Sequence, residues 1–205
     1  MPGRFYFYRF LTLLFFVLLA LAPEQTFAHP HVFIEQRTTL VFDDKGFAGF
    51  RINWAFDEMF SVMIGEDFDK DQNKHLDENE VRVIKEKAFG YIAEYNYYIN
   101  VKIDGKPFAV KFIKDFNATL EKGKLKYEFF IPCHVTAVNA DKQIILSPYD
   151  PEYYSAIYFP DIRHISLENT GPFIVETRSE RDMSTLIYYE TVNPLAIFLT
   201  FRQKQ

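Results

Sequence analysis

The sequence is poor in cysteine and in the motifs of common enzyme classes. Its one cysteine, Cys133, leaves no internal disulfide. Cys133 lies in the apolar run 129–133, which favours a buried, inert thiol over a metal ligand or an intermolecular disulfide. The chain has no G-x-S-x-G elbow, no phosphate-binding glycine loop and no H-E-x-x-H pair. Cys133 and His134 are neighbours in the sequence, but the side chains of a catalytic Cys–His pair must contact each other in the folded protein. We therefore expect a protein that is not an enzyme.

The sequence also has no excess of positively charged residues. The chain carries 23 Lys and Arg residues against 28 Asp and Glu residues, a net charge of −5. An acidic balance argues against a nucleic-acid partner and against binding to an anionic membrane surface. The sequence shows no internal repeat, low-complexity tract or long linker. It therefore predicts one domain with an adequate core.

The long apolar run of the sequence lies near its start. Arg4 and Arg9 lead into a nearly unbroken apolar stretch over residues 10–22. That length suits the core of a signal peptide and is short for a bilayer span, which needs about 20 residues. We expect a cleaved signal peptide over residues 1–28, with an uncleaved anchor as the alternative. The remaining chain, 29–205, is then expected in the periplasm without a stable membrane anchor.

Alternation of polar and apolar residues dominates the rest of the chain and predicts short strands joined by turns. Between residues 57 and 97 the spacing of apolar residues becomes helical, with an acidic loop between two helical patterns. The sequence therefore predicts a mainly β, α+β fold. We expect an antiparallel sandwich-like domain with an EF-hand-like helix–loop–helix inserted at about 57–97. The apolar tail 194–202 is expected to pack against this domain, either as a strand or as a helix. The predicted strands are 31–42, 47–56, 98–103, 108–116, 125–131, 135–146, 153–159 and 173–177.

The acidic loop, residues 69–80, fits the template of an EF-hand calcium loop. Oxygen-bearing side chains fall at loop positions one, three, five, nine and twelve, and the apolar Leu76 falls at position eight. Calcium is a hard cation that needs about six to eight oxygens at about 2.3–2.6 Å. The loop predicts a structural calcium site, with a solvated acidic turn or another metal as alternatives. The expected ligands are Asp69, Asp71 and Asn73 through side chains, His75 through its carbonyl, Asp77 through water, and Glu80 as a bidentate carboxylate.

One position departs from the template. The sixth residue is normally glycine because the backbone there has a positive φ, but this sequence has Lys74. A non-glycine residue in that conformation costs about 1–2 kcal/mol. The positive charge of Lys74 also lies near the expected ion. We therefore expect weakened calcium affinity, and the sequence shows no second loop to pair with the first.

The predicted cleavage would make His29 the first residue, followed by Pro30 and His31. The terminal amine and two imidazoles then lie close together, and such nitrogens suit Zn²⁺, Ni²⁺ or Cu²⁺. Pro30 has no N–H, so chelation by amine and rings is favoured over binding through backbone amides. His134 and His164 are further candidates for such a site. The alternative is that the His-Pro-His segment merely opens a strand.

Two aromatic groups have a functional and a structural interpretation. Trp54, Phe56, Asp57, Glu58 and Phe60 indicate a helix N-terminus with favourable acids, with an active site as the alternative. The tyrosines around Asp150-Pro151 suit either a ligand surface or ordinary packing. Those tyrosines are Tyr149, Tyr153, Tyr154 and Tyr158.

The sequence resembles domain-of-unknown-function family 1007. Members of that family are often described as periplasmic components of uncharacterised ABC-type transport systems and are associated with nickel, cobalt or zinc transport genes. The resemblance covers nearly all of residues 29–205. It rests on His29-Pro30-His31-Val32-Phe33-Ile34, Trp54-x-Phe56-Asp57-Glu58-x-Phe60, the acidic loop that opens a helix, and Ser147-x-Tyr149-Asp150-Pro151-x-Tyr153-Tyr154.

The resemblance implies a periplasmic accessory protein that handles transition metals, with a membrane transporter or permease as its partner. In that hypothesis His29 and His31 contact the transition metal, and the loop 69–80 holds Ca²⁺ structurally. The first alternative is a calcium-stabilised protein-interaction module that binds no transition metal. A copper enzyme that uses the terminal amine and imidazoles is a more distant alternative.

Overall fold

The structure, a computed structural model, describes residues 30–161 and 163–204. The predicted signal peptide and His29 lie outside these residues. The strands are β1 (Val32–Phe42), β2 (Gly46–Phe56), β3 (Ile99–Ile103), β4 (Lys106–Phe108), β5 (Lys114–Glu121), β6 (Lys124–Thr136), β7 (Lys142–Pro148), β8 (Ser155–Tyr158), β9 (Ile165–Glu168), β10 (Phe173–Arg181) and β11 (Leu195–Gln203). The α-helices are α1 (Glu58–Phe68) and α2 (Glu78–Ile84), and α2 continues into a π-helical turn (Lys85–Phe89) and a 3₁₀ segment (Gly90–Tyr98).

The first sheet has the strand order β5-β6-β2-β1-β8, and β9 pairs with β1 beside β8. Its hairpin and meander pairs are antiparallel, as predicted. Both β8 and β9 run parallel to β1, however, so the sheet is mixed. The chain reaches these positions by long crossovers, which parallel pairing requires.

The second sheet has the order β10-β11-β7-β3-β4 and is antiparallel throughout. The two sheets pack together through large aromatic side chains. The ring of Phe42 on β1 lies 5.4 Å from the rings of both Phe173 and Phe201 on the second sheet. Both sheets contribute to one hydrophobic cluster. The β-rich α+β class expected from the sequence is therefore confirmed.

The inner face of β1 follows the predicted alternation but includes two polar residues. Gln36 and Thr38 are buried between apolar neighbours. The indole N–H of Trp54 donates to Gln36 Oε1 at 2.9 Å, and Gln36 Nε2 donates to Thr38 Oγ1 at 3.1 Å. A buried polar group is tolerated when it is hydrogen-bonded, so this chain of contacts fixes the Trp54 side chain within the core.

A helix–loop–helix joins β2 to β3, at the predicted place in the chain. Its second helix is less regular than the sequence pattern suggests, because α-helical winding ends at Ile84. The following segment contains Asn96, Tyr97 and Tyr98 at φ values of +53°, +54° and +57°. These left-handed residues turn the chain into β3. In the part of the chain that the structure describes, no helix has the length and apolar character needed to cross a membrane.

Several strand boundaries differ from the prediction. The predicted strand 108–116 is divided, since β4 ends at Phe108 and β5 begins at Lys114 in the other sheet. The predicted strand 135–146 contains the end of β6, a turn and most of β7, and the turn coincides with Asn139-Ala140-Asp141. The short strand β9 was not predicted. The undecided tail is a strand, β11.

Candidate metal centre

The acidic loop is fixed between two helix ends. Asp69 closes α1, where its backbone N–H donates to Gly65 O at 3.0 Å. Asp77 opens α2 in a capping box: Asp77 Oδ1 accepts from Glu80 N at 2.9 Å, and Glu80 Oε2 accepts from Asp77 N at 3.0 Å. Such reciprocal capping satisfies donors that a helix N-terminus leaves free. The loop therefore has defined ends.

The carboxylate of Asp69 organises the first half of the loop. Its Oδ1 accepts from the backbone N–H of Asn73 at 3.1 Å, and its Oδ2 accepts from the backbone N–H of Lys74 at 2.8 Å. Asp69 is itself only 6% exposed. Because carboxylate oxygens can accept more than one contact, these bonds orient Asp69 and leave lone pairs for a cation.

The carboxylate of Glu80 joins the two ends of the loop. Glu80 Oε1 accepts from the backbone N–H of Lys70 at 2.7 Å, while its other oxygen completes the capping box. The residue is 8% exposed, although it is charged. A buried carboxylate requires compensating partners. Two backbone donors supply part of that compensation.

Three carboxylates converge at this point. One oxygen each from Asp69, Asp71 and Glu80 lie within 4.8 Å of one another, and this is the only cluster of three or more His, Cys, Asp or Glu ligands within the described ranges. Like charges at this separation repel one another unless a cation or a proton intervenes. The ligand atoms are all oxygens, which suits a hard cation such as Ca²⁺ better than a soft transition metal. The cluster could hold a metal ion.

The other predicted ligands lie at varying distances from this cluster. Asn73 adjoins it, since its Nδ2 donates to Asp71 Oδ2 at 2.7 Å and its Oδ1 accepts from His75 N at 2.7 Å. The side chain of His75 is exposed. Asp77 lies outside the converging group and serves as the N-cap of α2.

One side chain and one backbone conformation of the loop follow the EF-hand template. Leu76, at position eight, is buried and joins the main hydrophobic cluster. Lys74, at position six, has a φ of +63° despite its side chain, and Gln72 has a φ of +58°. The turn that normally requires glycine is therefore made here by a lysine, as its position in the loop predicts.

Among the described residues, the structure does not bring His31, His134 and His164 together into one site. His31 is exposed at the start of β1, with its ring 5.1 Å from the ring of Tyr154. His134 lies near the far end of the β1–β2 hairpin, because its neighbour Val135 pairs with Phe47. His164 is stacked on Phe159 at 5.1 Å, beside the middle of β1.

Two further predictions concern groups near the helices and the sheet. Asp57 is the N-cap of α1: its Oδ1 accepts from Phe60 N at 2.9 Å, and its Oδ2 accepts from Phe33 N at 2.7 Å. Asp57, Glu58 and Phe60 thus form the predicted helix N-terminus, whereas Trp54 and Phe56 belong to β2. Cys133 is a free thiol, and burial raises its pKa to about 12. A protonated thiol is a poor nucleophile.

Sequence reasoning missed an ion-pair cluster, a different kind of site. Lys102 Nζ contacts Asp182 Oδ2 and Ser184 Oγ, each at 2.8 Å, and Asp182 accepts from Thr185 Oγ1 at 2.6 Å. These residues lie about 80 positions apart in the chain, so no local pattern could have revealed them.

Comparison with known proteins places the chain among uncharacterised relatives. The family described as Protein of unknown function (DUF1007) matches residues 14–181. An uncharacterized protein of Haemophilus influenzae is 27% identical over 137 residues, which are 64% of this chain and 63% of that protein. An "Uncharacterized 15.5 kDa protein in trpE 3'region" of Spirochaeta aurantia is 23% identical over 137 residues, 66% of this chain and 96% of the relative. The chain thus spans less than two thirds of the Haemophilus protein. None of these descriptions states an activity.

Proposed function

The chain belongs to the family of proteins of unknown function DUF1007, and we propose that it is an exported protein whose loop 69–80 binds one calcium ion. In this proposal the ion stabilises the connection between α1 and α2, and the protein is a calcium-stabilised protein-interaction module. This is a structural role for calcium in a binding module.

One observation carries the proposal. Oxygens of Asp69, Asp71 and Glu80 converge within 4.8 Å, at the first, third and twelfth positions of a loop that lies between two helices. In an EF-hand those positions supply direct ligands. Asn73 adjoins the same group, since its side chain donates to Asp71. In this proposal the carbonyl of His75 and a water held by Asp77 would supply the remaining oxygens, as at the corresponding positions of an EF-hand.

The competing interpretation is a solvated acidic turn that binds no ion. The loop contains five carboxylates and two lysines, and its backbone is already hydrogen-bonded. Burial of Asp69 and Glu80 favours the calcium site, because a solvated turn does not require two carboxylates to be withdrawn from water.

The experiment is a calorimetric titration of the protein with Ca²⁺, combined with thermal unfolding in Ca²⁺ and in a chelator. We expect one site and a higher unfolding temperature with Ca²⁺. Glu80→Gln removes a bidentate ligand and is expected to weaken binding at least about tenfold. Glu78→Gln is the matched control, since Glu78 is an exposed residue of the same helical turn. Equal calcium binding by the two variants, or none by the native protein, would refute the proposal.

A second candidate function is transition-metal handling for a membrane transporter or permease. The observation that favours it is the exposure of His31 at the start of β1, adjacent to the segment that contains His29. The described residues place no second histidine beside His31, so this function depends on His29 and the terminal amine.

Titration with Zn²⁺, Ni²⁺ and Cu²⁺ tests this candidate in protein that begins at His29. Binding that disappears in His31→Ala but persists in His75→Ala supports metal handling, because both side chains are exposed and only one is in the His-Pro-His segment. The absence of binding at micromolar concentration leaves the calcium-stabilised interaction module.

A further inference from the structure

The second sheet ends at β10, a strand with one open edge. Along one side β10 pairs with β11 over its full length of nine residues. On its other side, residues 174–181 make no backbone–backbone hydrogen bond with any part of the chain that the structure describes. The strand contains neither proline nor glycine. Its free N–H and C=O groups can therefore pair with a further strand.

The two faces of β10 carry different side chains. Val175 packs against the main hydrophobic cluster and marks the inner face. The guanidinium of Arg178 lies 4.4 Å from the ring centre of Phe198, which is outside that cluster and marks the outer face. Because side chains alternate along a strand, Glu176 also lies on the outer face. Residues 176–181 are exposed, so no described element covers this part of the strand.

The loop that follows β10 begins by leading away from the open edge. The carboxylate of Asp182 contacts the ammonium group of Lys102 on β3 at 2.8 Å. The strands β11 and β7 lie between β10 and β3, so this contact is on the closed side of β10. Another chain can therefore approach the open edge without displacing the contact between Asp182 and Lys102.

The charges on the outer face of β10 are complementary to those of a second β10. Glu176 and Arg178 flank Thr177 at equal spacing. When two copies of β10 run antiparallel about a two-fold axis at Thr177, Glu176 of each copy lies opposite Arg178 of the other. Within its own chain Arg178 pairs with Glu180 at 2.7 Å, whereas Glu176 has no ion-pair partner among the described residues. Cross-strand pairs of opposite charge stabilise a sheet.

Only one register of this pairing combines the full length of β10 with complementary charges. Residues that lie opposite each other must share a face, so the register changes in steps of two residues. One step in either direction moves the axis to Glu176 or to Arg178, and that residue then lies opposite its own copy. Like charges directly opposite each other are destabilising, and each step also shortens the paired stretch. The register centred on Thr177 is therefore favoured.

We propose that two copies of the protein associate through their β10 strands, antiparallel about a two-fold axis at Thr177. The second sheets of both copies then form one continuous sheet, with five strands from each copy. In such a symmetric contact every favourable pair occurs twice. A contact along one pair of strands is small, and small interfaces dissociate readily. We therefore expect a dimer whose population depends on protein concentration.

The first test reverses charges and follows dimerisation by sedimentation velocity over a range of concentrations, with protein that lacks the predicted signal peptide. The native protein is expected to dimerise as its concentration rises. Glu176→Arg and Arg178→Glu each place like charges opposite one another twice, so each is expected to weaken dimerisation at least about tenfold. An equimolar mixture of the two variants restores both complementary pairs and is expected to form a heterodimer. Mixing would not rescue variants that had merely lost their fold.

A charge reversal on another edge strand is the matched control. Glu121 is an exposed glutamate on β5, the edge strand of the first sheet, and Glu121→Arg is expected to leave dimerisation unchanged. Circular dichroism checks that each variant remains folded. All measurements are made with Ca²⁺ and with a chelator, so that dimerisation and calcium binding by the loop 69–80 are judged separately.

The second test locates the axis with cysteines, in a Cys133→Ser background because Cys133 is the one native cysteine. Opposed residues of antiparallel strands have Cα atoms about 4.5–5.5 Å apart, which is within the reach of a disulfide. Thr177→Cys is therefore expected to give a disulfide-linked dimer under a mild oxidant. Ser179→Cys is the matched control: Ser179 is exposed on the same face, but its two copies are more than about 13 Å apart in this register.

Four outcomes overturn the proposal. The first is a native protein that remains monomeric up to about 1 mM. The second is a dimer that Glu176→Arg and Arg178→Glu leave intact, because that dimer uses another surface. The third is a mixture of these two variants, both folded, that fails to dimerise. The fourth is cross-linking of Ser179→Cys as fast as that of Thr177→Cys.

Discussion

The ammonium group of Lys102 lies 2.8 Å from the carboxylate of Asp182 and joins two distant parts of the second sheet. Lys102 is on β3, and Asp182 follows β10, which is separated from β3 by β11 and β7. The carboxylate also accepts from Ser184 Oγ at 2.6 Å and from Thr185 Oγ1 at 2.6 Å. These contacts attach the loop 182–194 to β3, on the far side of β11 and β7.

This pair predicts a pH-dependent stability. Burial opposes the ionisation of Asp182, but hydrogen bonds from Lys102, Ser184 and Thr185 outweigh it and lower its pKa to about 2. The unfolded value is about 3.9, so the stabilisation is complete above about pH 4 and declines as the pH falls towards 2. We expect Asp182→Asn to reduce the free energy of unfolding at pH 7 by about 3 kcal/mol. Urea unfolding between pH 7 and pH 2 measures this.

A surface pair in the same sheet is the control for that prediction. Asp104 and Lys142 are 2.7 Å apart but substantially exposed, and exposed pairs contribute about 0–1 kcal/mol. Asp104→Asn is therefore expected to have a smaller effect at pH 7. The difference in free energy of unfolding between the native protein and Asp182→Asn should shrink as the pH falls. If it stayed constant down to pH 2, the lowered pKa assigned to Asp182 would be wrong.

The β1–β2 hairpin could be predicted because its information is local. Asp43 Oδ1 accepts from the backbone N–H groups of Lys45 at 2.8 Å and Gly46 at 3.0 Å, which closes the turn that the sequence marks. The parallel pairing of β8 and β9 with β1 could not be predicted in this way. Their partners lie more than 110 residues away, and alternation identifies a strand without identifying its neighbour.

The same contrast separates the acidic loop from the aromatic core. The acidic loop is visible in sequence because Asp69, Asp71 and Glu80 lie within twelve consecutive residues. The packing of Trp54 and Tyr127 against Phe89 is not visible in this way, since these residues come from separate elements. Sequence patterns report periodicity and spacing, whereas contacts between separate elements are a property of packing.

Gly49 is expected to be intolerant of a side chain. A Cβ atom at this position would lie 2.1 Å from the backbone oxygen of Ile131, where β2 and β6 shift register. Because a backbone atom cannot move aside without disrupting the pairing, Gly49→Ala is expected to lower the free energy of unfolding by about 3 kcal/mol or more. Urea unfolding at neutral pH measures the change.

Gly65 provides the comparison within the same chain. A Cβ atom there would lie 3.7 Å from Leu120 Cδ1, an ordinary contact, and the residue is inside α1. Gly65→Ala is therefore expected to stabilise the protein by about 0.5–1 kcal/mol. If Gly49→Ala and Gly65→Ala had the same free energy of unfolding, close packing around Gly49 would not explain why that position requires glycine.

Cys133 is expected to be unreactive in the folded protein. Burial raises its pKa to about 12, so almost no thiolate is present at pH 8, and the thiolate is the reactive form. An aromatic disulfide reagent should modify the native protein slowly and the urea-unfolded protein rapidly, with Cys133→Ser as the blank. Rapid modification of the native protein would instead favour the intermolecular disulfide.

Lys74 allows the strain and the charge of the calcium loop to be separated. Its φ of +63° costs about 1–2 kcal/mol for a residue with a side chain, and its charge opposes a bound cation. Lys74→Gly removes both effects, whereas Lys74→Ala removes the charge and keeps the strained conformation. The backbone donor to Asp69 Oδ2 is present in both variants. We expect both to bind Ca²⁺ several-fold more tightly, measured by calorimetry.

Only Lys74→Gly should also raise the stability of the calcium-free protein, by about 1 kcal/mol in urea unfolding with a chelator. The strain is relieved whether or not an ion is bound, because the turn is closed by hydrogen bonds of the loop itself. If Lys74→Gly instead tightened calcium binding far more than Lys74→Ala, with no gain in the chelated protein, the turn would form only around the ion. The loop would then be ordered by calcium rather than organised in advance for it.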